Sequence, residues 1–161
     1  MAAALQIRLG RLDEAGVIGA LTQRVYRAGG WTDKGYDVEL LDARARIEHA
    51  TLLVAEQGRA VVGTVTIALP GTPFAEISRP DEAEIRMLAV DEDVRGAGIA
   101  SQLMDASEAY AREVGMAGIV LSTESSMHAA HCLYEHRGYT RETNRDWEVR
   151  GFMLLVYRRP P

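Results

Sequence analysis

The 161-residue chain, 47% hydrophobic and 25% charged with both signs interspersed, is long enough to bury one core and too short to divide comfortably into two, so one domain over residues 1–161 is expected. The charge mixture and the lack of any low-complexity tract exclude a disordered or fibrous class. A net charge of −5 provides no field to hold a polyanion, which argues against nucleic acid or an anionic membrane surface as partner and favours a cationic substrate.

The single cysteine, Cys132, excludes an internal disulfide framework and fits a reducing compartment. The opening Met-Ala-Ala-Ala-Leu has neither a basic start nor a long apolar stretch, and no window reaches the length of a membrane span. The chain is therefore expected to be cytoplasmic.

Leu5 to Leu9 reads as a short strand. Asp13 is placed to cap a helix whose apolar residues Val17, Ile18, Leu21 and Val25 recur at helical spacing, and which should stop at Gly29-Gly30. Trp31 to Gly35 is then a loop, and Tyr36 to Ala50 a second helix with Leu40, Leu41, Ala45 and Ile47 inward. Two β-rich runs, Thr51 to Glu56 and Ala60 to Leu69, meet at Gln57-Gly58-Arg59, a hairpin signal. Pro70 to Pro80 breaks the pattern.

Glu84 to Val90 reads as a strand, Gly98 to Val114 as a helix and Gly118 to Thr123 as a buried strand, together a βαβ unit with a parallel pair and a right-handed crossover. Ser126 to His136 is a further helix, ended by Gly138 as a left-handed cap. Tyr139 to Thr143 and Phe152 to Tyr157 read as closing strands, with Asn144 to Gly151, including Trp147, as their connection. The order implies an α/β class in which a mixed sheet is flanked by helices.

The chemistry concentrates in Asp91-Glu92-Asp93-Val94-Arg95-Gly96-Ala97-Gly98-Ile99-Ala100. Glycines at 96 and 98 permit positive φ and carry no Cβ, so consecutive backbone N–H groups can turn toward one point before a helix. The helix N-terminus and the Arg95 guanidinium suit that point to an anion such as phosphate. Alternatively, the glycines only make a tight turn, with Ile99, Leu103, Tyr110 and Val114 packing the helix on the sheet. A dinucleotide-binding reading of Gly96-x-Gly98-x-x-Ser101 fails, because five residues separate strand and glycines and the third glycine is missing.

Arg95-Gly96-Ala97-Gly98-Ile99-Ala100 resembles the Arg-x-x-Gly-x-Ala signature of the GNAT superfamily of N-acetyltransferases. Met87-Leu88-Ala89-Val90 resembles the strand before that signature, and Leu133-Tyr134-Glu135-His136-Arg137-Gly138-Tyr139 the Leu-Tyr-Glu-x-x-Gly-Phe/Tyr segment after it, so the likeness covers roughly residues 50 to 143. It implies a GNAT-like fold that uses acetyl-CoA as cosubstrate and requires no metal. The amides of Gly96, Ala97, Gly98, Ile99, Ala100 and Ser101, helped by Arg95, would receive the pyrophosphate. The pantetheine arm would lie beside Leu88, Ala89 and Val90 where two parallel strands splay apart, with the acetyl carbonyl accepting from a backbone N–H near Val90.

By the same resemblance, Tyr134 is the candidate general acid for the departing thiolate, although the periodicity equally places it in an apolar stripe with Ala130 and Leu133. An ammonium must lose a proton before it attacks, and Glu84, alternating with Arg86 and Leu88 on one face, is the candidate base. Glu84 could instead pair with an arginine, and Asp81 or Glu82 could serve in its place. The family often carries Asn seven positions before the tyrosine, where this chain has Met127, which puts a side-chain contact to CoA from that position in doubt.

Cys132 reads as a small buried hydrophobe and His128, His131 and His136 as solvent-facing rather than metal-binding, while Trp31, Tyr36 and Trp147 lie in segments that could line an acceptor pocket, although aromatics near a loop are more often core edge than ligand platform. The expected activity is direct transfer in a ternary complex to a primary amine. A small cationic metabolite is favoured by Glu76, Asp81, Glu82 and Glu84, with a peptide or protein N-terminus as the other acceptor class. The closing strands are a candidate homodimer surface. The competing expectation is a non-catalytic acyl-CoA-binding sensor or interaction module.

Overall fold

Alternating apolar and polar residues build the first half of the sheet. In the computed structural model, which describes residues 3–161, β1 (Leu5–Leu9) lies antiparallel to β2 (Thr51–Gln57), and β2 turns into β3 (Ala60–Ala68). The turn expected at Gly58-Arg59 has φ of +58° and +67°, the left-handed pair that lets a two-residue loop follow strand twist. Met1 and Ala2, part of the opening read for a leader, lie outside the described residues.

β4 (Glu82–Val90) is antiparallel to β3 and parallel to β5 (Gly118–Glu124), joined to it by α4 (Ile99–Glu113) as the βαβ pattern predicts. β8 (Phe152–Arg159) returns antiparallel to β5, and the short β6 (Thr140–Arg141) and β7 (Trp147–Val149) both pair with it. The sheet order is β1-β2-β3-β4-β5-β8-β6, with one parallel pair at its centre. The expected mixed sheet flanked by helices is therefore present.

Helices cover both faces. α1 (Ala15–Gly29), α2 (Lys34–Leu41) and α3 (Ala43–His49) pack Ile18, Leu21, Val25, Leu40 and Ala43 on one side, around Leu52, Val54, Met87 and Ala89. α4 and α5 (His128–His136) pack Ile99, Leu103, Met104 and Tyr134 on the other, around Val65, Ile67, Ile85, Ile119 and Leu121. No helix is long and apolar enough to cross a membrane among the described residues.

Five local expectations are corrected. Asp13 caps nothing: it sits in a 3-10 turn, Leu12–Glu14, and the Glu14 carboxylate accepts the Arg11 N–H at 2.9 Å. The helix expected over Tyr36 to Ala50 is two helices, because Asp42 leaves helical geometry and its Oδ1 accepts the Ala45 N–H at 3.1 Å. A short polar side chain that bonds its own backbone starts a new helix better than it continues one. The connection Asn144 to Gly151 contains a strand, β7, which forms a hairpin with β8 through Arg150 (φ +49°) and Gly151 (φ +81°). Cys132 is exposed rather than buried, and His131 is half-buried, its Nε2 3.0 Å from the Glu124 carbonyl.

One buried cation organises the first helical face. Arg46, fully buried on α3, donates to the carbonyls of Glu39 at 2.8 Å and Leu40 at 3.0 Å in the C-terminal turn of α2. Burial lowers its pKa from the usual arginine value. The bonds tie α2 to α3, and α2 carries Tyr36 and Glu39 toward the sheet centre.

Candidate functional site

The parallel pairing of β4 with β5 runs from Glu82–Gly118 to Ile85–Leu121 and then ends. Beyond it β4 stays with β3 as far as Val90–Gly63, while β5 stays with β8 as far as Glu124–Leu154. The two central strands thus diverge, leaving the β5-facing edge of residues 86–90 unpaired. A cavity of about 170 Å³ opens in the gap, lined from both sheet faces and from the β7–β8 hairpin.

A bulge aims the residues of β4. Thr64 pairs with Ala89 and Thr66 with Arg86, so Val65 faces both Met87 and Leu88, and Met87 takes a φ of +54°. A non-glycine residue in that region costs of order 1–3 kcal/mol and persists only where its surroundings hold it. Here Met87 is clamped by the α1–α2 core. The extra residue reverses the facing of all that follow: Met87 and Ala89 join the α1–α2 side, and Leu88 and Val90 the α4 side. Leu88 therefore does not share a face with Glu84 and Arg86, correcting the simple alternation.

After β4 the chain makes a 3-10 turn, Glu92–Val94, and reaches the glycines. Gly96 has φ +85° and Gly98 φ +77°, with nothing of the protein within 4 Å of a Cβ built at either. The first bond into α4 is from the Gln102 N–H to the Gly98 carbonyl at 3.1 Å. Among the described residues the N–H groups of 96 to 101 have no acceptor within the chain. Arg95 beside them is exposed and makes no ion pair among the described residues. A row of unpaired amides at a helix N-terminus next to a guanidinium is suited to phosphate oxygens.

Glu84, 2% exposed, lines the cavity. Its Oε1 accepts three backbone N–H groups, from Glu76 at 2.8 Å, Ile77 at 2.9 Å and Ser78 at 3.1 Å. Burial raises its pKa above the usual carboxylate value, the three amides and Arg86 only partly opposing it. The alternative base Glu82 is fully buried but committed elsewhere. It is bound by Arg145, Arg158 and the Arg79 N–H, which hold its pKa near 2. Neither Glu82 nor Asp81 lines the cavity.

Tyr134, on α5, reaches the cavity from the opposite face of the sheet, its ring packed against Tyr139 and Tyr157 at 5.8 and 6.0 Å. Its hydroxyl makes no hydrogen bond among the described residues, and burial alone pushes its pKa well above the usual tyrosine value. The ring belongs to the apolar stripe, as its periodicity predicts, and the residue also borders the cavity.

Several lining residues were read only weakly, or not at all, as pocket wall from the sequence. Trp31, Tyr36 and Trp147 all face the cavity, with Glu39, Glu76 and Phe152. No spacing connects them, because they arrive from the α1–α2 loop, from α2, from the loop before β4 and from the terminal hairpin. Met127, at the start of α5, also lines the cavity, and its sulfur accepts from Thr123 Oγ1 at 3.5 Å.

Residues 19–139 match the family model described as Acetyltransferase (GNAT) family. The mycothiol acetyltransferase of Geodermatophilus obscurus is 30% identical over 115 residues, which are 70% of this chain but 35% of that protein, so the chain spans about a third of that relative's length. Among solved structures, a GNAT-family acetyltransferase of Staphylococcus aureus Mu50 aligns with a TM-score of 0.78 at 15% identity over 98% of this chain and 99% of that one. The yncA acetyltransferase of Salmonella typhimurium, solved with its cofactor acetyl-CoA, aligns with a TM-score of 0.73 at 20% identity over 98% and 94%.

Proposed function

This chain belongs to the GNAT acetyltransferase family, and from that premise we propose that it moves the acetyl group of acetyl-CoA onto a primary amine by direct attack in a ternary complex. The observation that carries the reading is the continuity of three features. Unpaired amides at 96–101 follow the unpaired edge of β4 in the chain, and that edge, through Met87 and Leu88, borders the cavity that Tyr134 and Glu84 also line. The chain would act as one domain, with CoA phosphates on Gly96 to Ser101 and Arg95, and the arm beside Leu88, Ala89 and Val90. When bound, acetyl-CoA would supply an activated thioester.

The chain's own residues would handle the protons. Glu84 takes one from the incoming ammonium, directly or through water, its raised pKa bringing it nearer the pH at which an amine must be stripped. The Tyr134 hydroxyl supplies one to the departing sulfur. The dry surroundings that raise Tyr134 also destabilise a thiolate, so donor and leaving group remain matched. A titratable group and an unbonded hydroxyl on opposite walls of one cavity favour an enzyme over a binding module.

Tyr134→Phe tests the acid. It is expected to lower kcat roughly tenfold or more with CoA affinity unchanged, the mark of a group used in the transition state. An unaltered kcat would remove Tyr134 from the chemistry. Glu84→Gln tests the base while retaining an oxygen for the three amides. In the wild type kcat should rise with pH as Glu84 deprotonates, through a midpoint above the ordinary carboxylate value because burial favours the neutral form. The variant should lose that limb and most of its rate; a variant of normal rate and profile would reduce Glu84 to a clamp for the 76–78 loop.

A further inference from the structure

The polar groups around the cavity are divided unevenly between donors and acceptors. The indole and Arg86 donors are engaged, and the Tyr134 hydroxyl is left for the departing sulfur. Trp31 Nε1 donates to Ser126 Oγ at 3.1 Å and Trp147 Nε1 to Ser122 Oγ at 3.0 Å, so both indoles present only ring surface to an occupant. The Arg86 guanidinium donates to the Phe74 carbonyl at 3.2 Å and to the Tyr36 hydroxyl at 3.5 Å, and it forms an ion pair with Glu76. Arg150 is paired with Asp33 at 3.2 Å and lies over the Tyr36 ring.

The acceptors are not exhausted. The Glu39 carboxylate has no hydrogen-bonded or ionic partner among the described residues, and Glu84, 2% exposed, has only one of its two carboxylate oxygens engaged. Arg86 is the guanidinium that these two carboxylates and Glu76 all influence, which leaves an excess of negative charge. An ammonium entering here would find acceptors and aromatic faces, both of which favour a cation. A carboxylate or phosphate would meet that negative excess with the indole and Arg86 donors already taken and only hydroxyl protons left to pair it.

Size narrows the body of the guest. The cavity of about 170 Å³ is close to the roughly 150 Å³ of an apolar cavity that accepts one benzene ring. Resting on the acetyl-transfer reading, we infer that the acceptor is a primary amine bearing one positive charge on a compact, single-ring apolar body and no anionic group. The ring lies among Trp31, Tyr36, Trp147 and Phe152, and the ammonium is drawn to Glu39 and Glu84.

The test measures thiol release from acetyl-CoA by the full chain with phenethylamine, phenylalanine, ethanolamine and spermidine, alongside the melting temperature with and without CoA. Phenylalanine adds a carboxylate, ethanolamine removes the ring, and spermidine multiplies the charge and length. Phenethylamine should exceed each of the others in kcat/KM by roughly tenfold or more. Glu39→Gln should reduce that advantage and leave the CoA-induced melting shift unchanged. Equal or better turnover of any of the other three overturns the inference, as does CoA stabilisation without turnover of phenethylamine. Absence of any CoA stabilisation would instead remove the acetyl-transfer reading beneath it, and the inference with it.

Discussion

Replacing Gly98 by valine is expected to weaken CoA binding about a hundredfold or more, a loss of about 2.7 kcal/mol. Gly98 holds φ +77° directly before α4. A residue with a Cβ loses about 1–2 kcal/mol in the left-handed region, and a β-branched one more, so the loop would relax to another conformation. That movement would turn away one or two of the amides at 96–101, each worth about 1.5–3 kcal/mol when it meets a charged oxygen. No protein atom lies within 4 Å of a Cβ at this position, so the fold has no steric reason to fail. The melting temperature of the free variant should fall by only a few degrees, while the upward shift given by CoA should largely vanish. Undiminished stabilisation by CoA would overturn the anion-loop assignment.

Replacing Glu82 by alanine should instead attack the fold, destabilising it by about 3–5 kcal/mol, because it strands two guanidinium groups around one deleted carboxylate. Arg145 and Arg158 reach Glu82 from the C-terminal segment, their side chains 10% and 26% exposed beside a carboxylate that is fully buried. The same cluster makes stability depend on pH. The Glu82 carboxyl titrates near 2 in the folded chain against an ordinary value of 4.5, so its contribution is complete above the ordinary value and is lost as the pH falls toward 2. The shift corresponds to stabilisation of order 3 kcal/mol. Urea unfolding of the wild type and Glu82→Gln at pH 7, 4 and 3 should give curves that converge as the pH drops. A difference that stayed constant with pH would show that the carboxylate charge contributes nothing.

The loop proposed to hold the phosphates was legible as a glycine turn before a helix because its signal is local. Glycines at 96 and 98, an arginine before them and a helical pattern after them lie in one continuous stretch, and backbone conformation over a few residues follows from the presence or absence of Cβ. The strands and most helices were legible for the same reason, periodicity being a property of neighbours in the chain. Local patterns also misled. Tyr36 to Ala50 has helical periodicity throughout, yet the Asp42 carboxylate accepts the Ala45 N–H and divides it. Trp147 to Val149 is too short to register as a strand until β8 supplies a partner.

The choice between Glu82 and Glu84 required the tertiary structure. Both are buried carboxylates on one strand, two residues apart; one meets arginines from the far end of the chain and the other meets three amides and a cavity. The aromatic wall and the burial of Arg46 likewise depend on elements that meet only after the sheet has formed. The sequence alone determined the mixed α/β class, the βαβ centre and the amide cradle, since these arise from side-chain volume, backbone freedom and short-range periodicity. Which carboxylate faces the cavity, how the bulge at Met87 turns β4, and the surplus of unpaired acceptors in the pocket were decided by packing between residues distant in sequence, where desolvation and hydrogen-bond partners are set.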